Sequence, residues 1–255
     1  MHAEQVLMLL AAAVAAGWVD AVVGGGGLIQ LPALLLAAPG QPVATALATN
    51  KLGSIMGVSS AAVVYARRAK PDLPVALTAA GIAVCCAGAG ALCAAAISSD
   101  VLKPVIMVVL LGVAAIVVLR PDLGRAPAPV LRTRRRVAAA VLVPGVAIAF
   151  YDGLVGPGTG TFLVVAFTAL LGMDFVNASA SAKIINAGTN LGAVAVFAVQ
   201  GHVLWTVGLA MGACNIVGAQ LGSRMAINRG AGFVRVVLLC VVSALVLKLG
   251  YEQFA

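Results

Sequence analysis

Apolar positions in this chain run in long unbroken stretches, with neither the alternation of a half-buried strand nor the three-to-four spacing of a surface helix. The stretches cover about residues 3 to 19, 28 to 38, 43 to 66, 73 to 97, 101 to 119, 137 to 155, 160 to 171, 176 to 200, 203 to 222 and 233 to 251. Most approach the roughly 20 residues that an α-helix needs to cross a bilayer core. The stretches at 28 to 38 and 160 to 171 are too short to cross, and each is bounded by a glycine-rich break, which predicts half-helices or re-entrant pieces. The pattern therefore predicts an all-α polytopic membrane protein with about eight transmembrane helices and two glycine-broken half-helices.

The stretches also repeat. At a constant offset of 132 residues, Asp20 falls on Asp152, Gly24 on Gly156, Gly26 on Gly158, Gly40 on Gly172, Ala46 on Ala178, Ala48 on Ala180 and Lys51 on Lys183. Glycine and alanine matches are cheap in so biased a sequence. The Asp and Lys matches are not, because the chain has only eight acidic and sixteen basic residues. The expected organisation is a first transmembrane repeat at 1–119, a basic linker at 120–136 and a second repeat at 137–255.

Composition agrees with the bilayer as solvent: of 255 residues, 62% are hydrophobic and 9% charged, where soluble domains carry about 25% charged residues. The net charge of +8 would point to nucleic acid in a soluble protein. Here, though, the basic residues lie between apolar stretches, in clusters at Arg67, Arg68 and Lys70, at Arg120 to Arg136, and at Arg224, Arg229 and Arg235. That is a topology signal, since short loops rich in Lys and Arg stay in the cytoplasm, and no nucleic-acid partner is expected. The loop at Gln200 to His202, which matches the Arg67 to Lys70 loop, has no Lys or Arg, and the charge reappears one loop later. With the linker also cytoplasmic, the two repeats are expected to be inverted, with a substrate site near the midplane between them. Cys85, Cys86, Cys93, Cys214 and Cys240 all sit in apolar stretches without a CxxC pair or a nearby His, so they read as packing residues and no metal or cofactor is expected. With no Walker-type phosphate loop and with only His2 and His202 as histidines, an enzyme is not expected either.

The candidate chemistry sits at the breaks. Gly24, Gly25, Gly26 and Gly27 in one half, and Gly156, Pro157, Gly158, Thr159 and Gly160 in the other, cannot sustain a regular helix. They read either as close helix packing or as half-helix N-termini whose N–H groups face an anion. Asp20, Lys51, Asp152 and Lys183 are ionisable residues in or beside apolar runs. Each costs at least about 2.5 to 3.5 kcal/mol to insert and needs a partner or a wet cavity. They are expected to form ion pairs, or to act with the lysines attracting an anion and the aspartates pairing with them or exchanging a proton. Thr49, Asn50, Ser54, Ser181, Asn186, Thr189 and Asn190 interrupt the same runs, whereas Asn215, alone in its segment, reads as packing.

Two longer stretches carry a resemblance. VDAVVGGGGLIQLPALL followed by ALATNKL (Ala46 to Leu52), and FYDGLVGPGTGTFL (Phe150 to Leu163) followed by ASASAKIINAGTN (Ala178 to Asn190), resemble the two motifs of the TauE/SafE family of sulfite and organosulfonate transporters. The resemblance covers nearly the whole chain. It implies a multi-pass protein of the bacterial cytoplasmic membrane that carries a small organic or sulfur-containing anion, such as sulfite, a sulfonate or a related carboxylate, by ion-coupled secondary transport. Its partners would be that anion, the lipid bilayer and a coupling proton or sodium ion; a homodimer is compatible with it. The family's motifs point to Gly24 to Gly27, Asn50, Lys51, Gly156 to Gly160, Lys183 and Asn186 as substrate-binding; Asp20 and Asp152 are coupling or ion-pair candidates on the residue argument above. One internal departure is that Asn50 precedes Lys51 whereas Ala182 precedes Lys183. An uncoupled anion pore and a non-transporting scaffold are the competing expectations.

Overall fold

The computed structural model describes residues 3–38, 40–119 and 132–254. Among them every regular element is helical: α1 (Ala3–Val23), α2 (Gly27–Ala37), α3 (Val43–Ala66), α4 (Leu73–Ala96), α5 (Ser99–Leu119), α6 (Arg134–Leu142), α7 (Ala149–Leu154), α8 (Thr159–Leu171), α9 (Phe175–Val199) and α10 (Trp205–Phe254). A π-helical stretch at Val143–Ile148 joins α6 to α7. It contains Pro144, whose missing N–H breaks the regular ladder and lets the turn widen. α10 is interrupted at Gly230, where φ is +69° and ψ is −169°, so it is two helices end to end. Most of the linker, Arg120 to Leu131, lies outside the described residues, as do His2 and the side chains of Arg235 and Cys240.

Four helical segments among the described residues are long and apolar enough to cross a bilayer: Glu4–Val23, Leu73–Ala96, Arg134–Leu154 and Phe175–Val199. That is fewer than the eight expected. α3 is 24 residues long but does not qualify, because Asn50 and Lys51 sit near its middle among several Thr and Ser. The half-helices are as the pattern predicted, α2 and α8 being short apolar helices of 11 and 13 residues.

Outward faces are apolar. Leu77, Leu92, Val108, Val217 and Leu221 are all exposed, as expected where hydrocarbon replaces water. Cys85 and Cys93 also face outward, a correction to their reading as packing residues. They lie on α4 away from the stripe Ala76, Ala79, Ala83, Ala87, Ala91 and Ala94, which is fully buried. The interior is held by close approach of backbones. A Cβ at Gly153 would stand 1.9 Å from the Ala87 carbonyl oxygen, and one at Gly192 would stand 2.0 Å from that of Val84, fixing α7 and α9 against α4. Gly218 and Gly222 of α10 meet the carbonyls of Val14 and Trp18 on α1 in the same way. Small residues serve helix association in lipid because the apolar effect gives no preference for protein over acyl chains, leaving contact distance to decide.

Arg67, Arg68, Lys70, Arg132 and Arg224 collect at one end. The Lys70 N–H donates to Asn177 Oδ1 at the start of α9. Arg132 Nη2 sits 2.7 Å from Asp72 Oδ2, and Arg67, Arg68 and Arg224 share one cavity. At the other end the Leu204 N–H donates to Thr49 Oγ1 at 3.3 Å, so α3 and α9 run antiparallel. Gly153→Leu should lower the melting temperature of the detergent-purified protein, with overpacking costing about 1–3 kcal/mol. Gly81→Ala, which meets nothing within 4 Å, should leave it unchanged or slightly raised; thermal unfolding followed by circular dichroism checks both.

Candidate functional site

Each glycine tract ends one helix and starts another. α1 stops at Val23 and α2 starts at Gly27; α7 stops at Leu154 and α8 starts at Thr159. The reversal needs left-handed backbone at Gly24 (φ +80°), Gly156 (φ +96°) and Gly158 (φ +81°), which only glycine adopts without strain. The tracts of the two halves meet at the centre: a Cβ on Gly24 would lie 2.3 Å from the Gly160 carbonyl carbon, so the backbones touch with only hydrogens between them.

The last carbonyls of α1 take donors from other elements, that of Asp20 in addition to the Gly24 N–H at 2.8 Å. Lys183 Nζ donates to the Asp20 carbonyl, Tyr65 Oη to that of Ala21 at 2.9 Å, and Thr161 Oγ1 to that of Val23 at 2.6 Å. A cation at this end also meets the negative pole of the α1 dipole.

The four ionisable residues form two ion pairs. Lys51 Nζ lies 2.7 Å from Asp152 Oδ1, with both side chains 3% exposed. Lys183 Nζ lies 2.8 Å from Asp20 Oδ2, with side chains 3% and 16% exposed. In both pairs the lysine of one half meets the aspartate of the other. Thr159 Oγ1 lies 2.7 Å from Asp152 Oδ1 and 2.6 Å from the Gly156 carbonyl oxygen, so its single proton serves one of them at a time. Asp20 Oδ1 instead accepts a long bond, 3.4 Å, from the Gly26 N–H. The position that matches Thr159 in the first half is Gly27, so the two pairs are unequally buttressed.

Between the pairs lies a cavity of about 20 Å³, lined by Asp20, Gly24, Gly27, Asn50, Lys51 and Ser54, by Val58, Asp152, Gly156, Gly158, Thr159 and Gly160, and by Asn186 and Asn190. This is room for about one water molecule. Asn50 Oδ1 and Asp152 Oδ2 are buried without a hydrogen-bond partner, so two acceptors line the cavity unanswered. The glycine tracts take up several first-turn N–H groups, those of Leu28 and Ile29 in α2 on the Gly25 and Gly26 carbonyls and that of Thr159 in α8 on the Gly156 carbonyl, and Gly27, Thr159 and Gly160 bring the helix starts to the cavity wall.

Of the residues singled out in the sequence, Gly24, Gly27, Asn50, Lys51, Gly156, Gly158, Thr159, Gly160, Asn186, Asp20 and Asp152 come together here. Lys183 reaches the wall only through Asp20. Gly25 and Gly26 pack elsewhere, Gly25 against Leu28 and Val19, Gly26 against Ala16 and the Asp20 Cβ. Val58 lines the cavity without any polar signal in the sequence to mark it, while Ser54 and Asn190 were marked only by interrupting apolar helices. Asn215 is not a lone packing residue: its Nδ2 donates to Gln30 Oε1, both residues buried. Gln30 carries no sign of this in its own half, because the position matching Asn215 there is Ala83 and the position matching Gln30 is Phe162.

Comparison with known proteins agrees with the geometry. Residues 9–249 match the family described as "Sulfite exporter TauE/SafE". A "Probable membrane transporter protein ORF9" of Sinorhizobium sp is 42% identical over 245 residues, covering 94% of this chain and 90% of that protein. The "Probable membrane transporter protein YfcA" of Escherichia coli is 34% identical over 252 residues, covering 96% and 90%. A "Probable membrane transporter protein" of Haemophilus influenzae is 32% identical over 242 residues, covering 93% and 91%. No solved structure matches. With a family match spanning nearly all of its length and multi-pass helices around a buried polar centre, this chain belongs to the sulfite exporter TauE/SafE family of membrane transporters.

Proposed function

We propose that the chain carries a small organic or sulfur-containing anion, of the sulfite, sulfonate or sulfoacetate type or a related carboxylate, across the bacterial cytoplasmic membrane by alternating access. The observation that carries this reading is the pair of crossed Lys–Asp bridges at the meeting of two broken helices. The proposal treats residues 1–119 and 137–255 as inverted repeats. In support, adding 132 to the starts of α2, α3 and α4 gives the starts of α8, α9 and α10. The hydrogen bond from Leu204 N–H to Thr49 Oγ1 has its counterpart, at the same offset, in the bond from Asp72 N–H to Ser181 Oγ. By the positive-inside rule the end bearing Arg67, Arg68, Lys70, Arg132 and Arg224 faces the cytoplasm.

The mechanism follows from charge. Two lysines and two aspartates make the centre neutral, and the cavity is smaller than any of these anions. Loading therefore requires the halves to part, and an anion that takes Lys51 or Lys183 leaves Asp152 or Asp20 without its cation. A carboxylate stranded at that depth is strongly disfavoured. Protonating it restores neutrality, so anion and proton move together, with Lys51 and Lys183 as anion ligands and Asp152 and Asp20 as proton carriers. The half-helix starts at Gly27 and Gly160 add N–H donors for the oxyanion, and Asn50 and Asn186 add amide donors.

Removing one partner of a buried pair costs about 3–5 kcal/mol, whereas removing both is far milder. Lys51→Met should therefore unfold at a markedly lower temperature. Lys51→Met with Asp152→Asn should regain most of that stability yet show no thermal shift with sulfite, thiosulfate, taurine, sulfoacetate or simple carboxylates, among which the wild type responds to at least one. Full anion response in the double variant would remove Lys51 from the site.

In proteoliposomes, uptake of the responsive anion should follow an imposed pH gradient and ignore a sodium gradient, and Asp152→Asn should weaken the pH dependence, leaving Asp20 as the remaining proton carrier. Flux indifferent to both gradients would identify an uncoupled pore instead.

A further inference from the structure

At the basic end a cavity of about 360 Å³ opens between the C-terminal turn of α3 and α10, lined by Val64, Arg67, Arg68, Arg224, Ile227 and Asn228. Its size is within the range of about 300–1,000 Å³ typical of small-ligand sites. Three arginines line one space, and among the described residues none of them forms an ion pair with a carboxylate. Nearby Arg229 is different, because it lies 5.1 Å over the ring of Phe233, which in turn packs edge-on against Trp18. Three like charges left facing one cavity repel one another, and an anion placed among them relieves that repulsion.

The surroundings select the kind of anion. On α10, Val217, Leu221, Arg224 and Asn228 recur at spacings of four, three and four, so they share one helical face, and Val217 and Leu221 are 54% and 52% exposed. On α3, Val63 and Arg67 share a face in the same way, with Val63 52% exposed. Both faces thus run from outward apolar residues into arginine at the end of the helix. A ligand filling this cavity has an anionic head for the guanidinium groups and an apolar body that continues along Val217, Leu221 and Val63. We infer that the cavity between α3 and α10 is a binding site for an anionic phospholipid, its phosphate held by Arg67, Arg68 and Arg224 and an acyl chain lying along the apolar stripe. Arginine suits this role because its planar fork offers paired donors to phosphate oxygens. Basic pockets between helices on the cytoplasmic side are where such headgroups bind.

The test uses the full-length protein in a zwitterionic detergent, titrated with phosphatidylglycerol, phosphatidylcholine, glycerol phosphate or inorganic phosphate and followed by thermal unfolding and native mass spectrometry. Phosphatidylglycerol should give a saturable stabilisation with discrete bound copies, and phosphatidylcholine should not. Arg67→Gln/Arg68→Gln/Arg224→Gln should weaken that binding at least about tenfold, because the charge-assisted bonds to phosphate are lost. Arg134→Gln, outside the cavity, should leave it unchanged. The triple variant should keep the wild-type melting temperature without lipid, which separates lost binding from lost folding.

Equal phosphatidylglycerol stabilisation in the triple variant would overturn the site. So would an equal response to glycerol phosphate or inorganic phosphate, which would make it a soluble-phosphate site, or a dimer that seals the cavity and dissociates in the triple variant. The readout is lipid binding alone, so its failure leaves the anion-carrier reading untouched.

Discussion

Four charges placed inside a hydrocarbon slab must find partners, and the whole arrangement answers to that demand. Lys51 and Lys183 could each have paired within their own half. Instead each reaches across, Lys51 to Asp152 and Lys183 to Asp20, so neither half can satisfy its charges alone. The desolvation cost that makes a single buried charge intolerable becomes, in crossed form, a force that registers one half against the other. Everything near the pairs serves the same register: Thr159 against Asp152, Tyr65 and Thr161 on the freed carbonyls of α1, and the antiparallel hydrogen bonds at the two ends of α3 and α9.

Around that centre the packing trades side-chain bulk for proximity. The alanine stripe of α4 and the glycines of α7, α9 and α10 bring backbones together, with glycine facing a neighbouring carbonyl at contact after contact. Such contacts are stiff, because closely packed atoms have no slack to take up. The glycine tracts differ from these helices in one respect, that their left-handed residues lie outside the helical ladder. Rigid units joined by pliable glycine are what a carrier that opens alternately to either side requires, and on the proposed mechanism the tracts bear both the ligand and the bend.

Much of this was legible in the residues. The length of each apolar run gave nearly every helix, because a bilayer imposes one length and one kind of surface. The offset of 132 was readable because Asp and Lys are rare enough here for two matches to mean something. The direction of pairing was not, since an equal spacing is compatible with bridges inside or between halves and only the packing of the helices decides. The widened turn at Pro144 breaks the repeat, its counterpart in α1 being Ala12, and a proline alone does not say whether a helix kinks, ends or widens. Val58 and Gln30 were missed because an aliphatic wall residue looks like any other, and because Gln30 depends on Asn215, 185 residues away. The arginine cavity was visible only as loop charge, as nothing in the sequence joins residue 67 to residue 224.

The contact of Gly24 with Gly160 bears on how such a protein can diversify. With backbone against backbone, those two positions are closed to any side chain, and the floor of the centre is a fixed part. Only the walls can be rewritten, and they are supplied by α3 and α9 through Asn50, Ser54, Val58, Asn186 and Asn190. A lineage seeking a new cargo would therefore vary a handful of sites on two antiparallel helices and hold the crossing invariant, much as a lock is rekeyed at its pins while the cylinder stays the same.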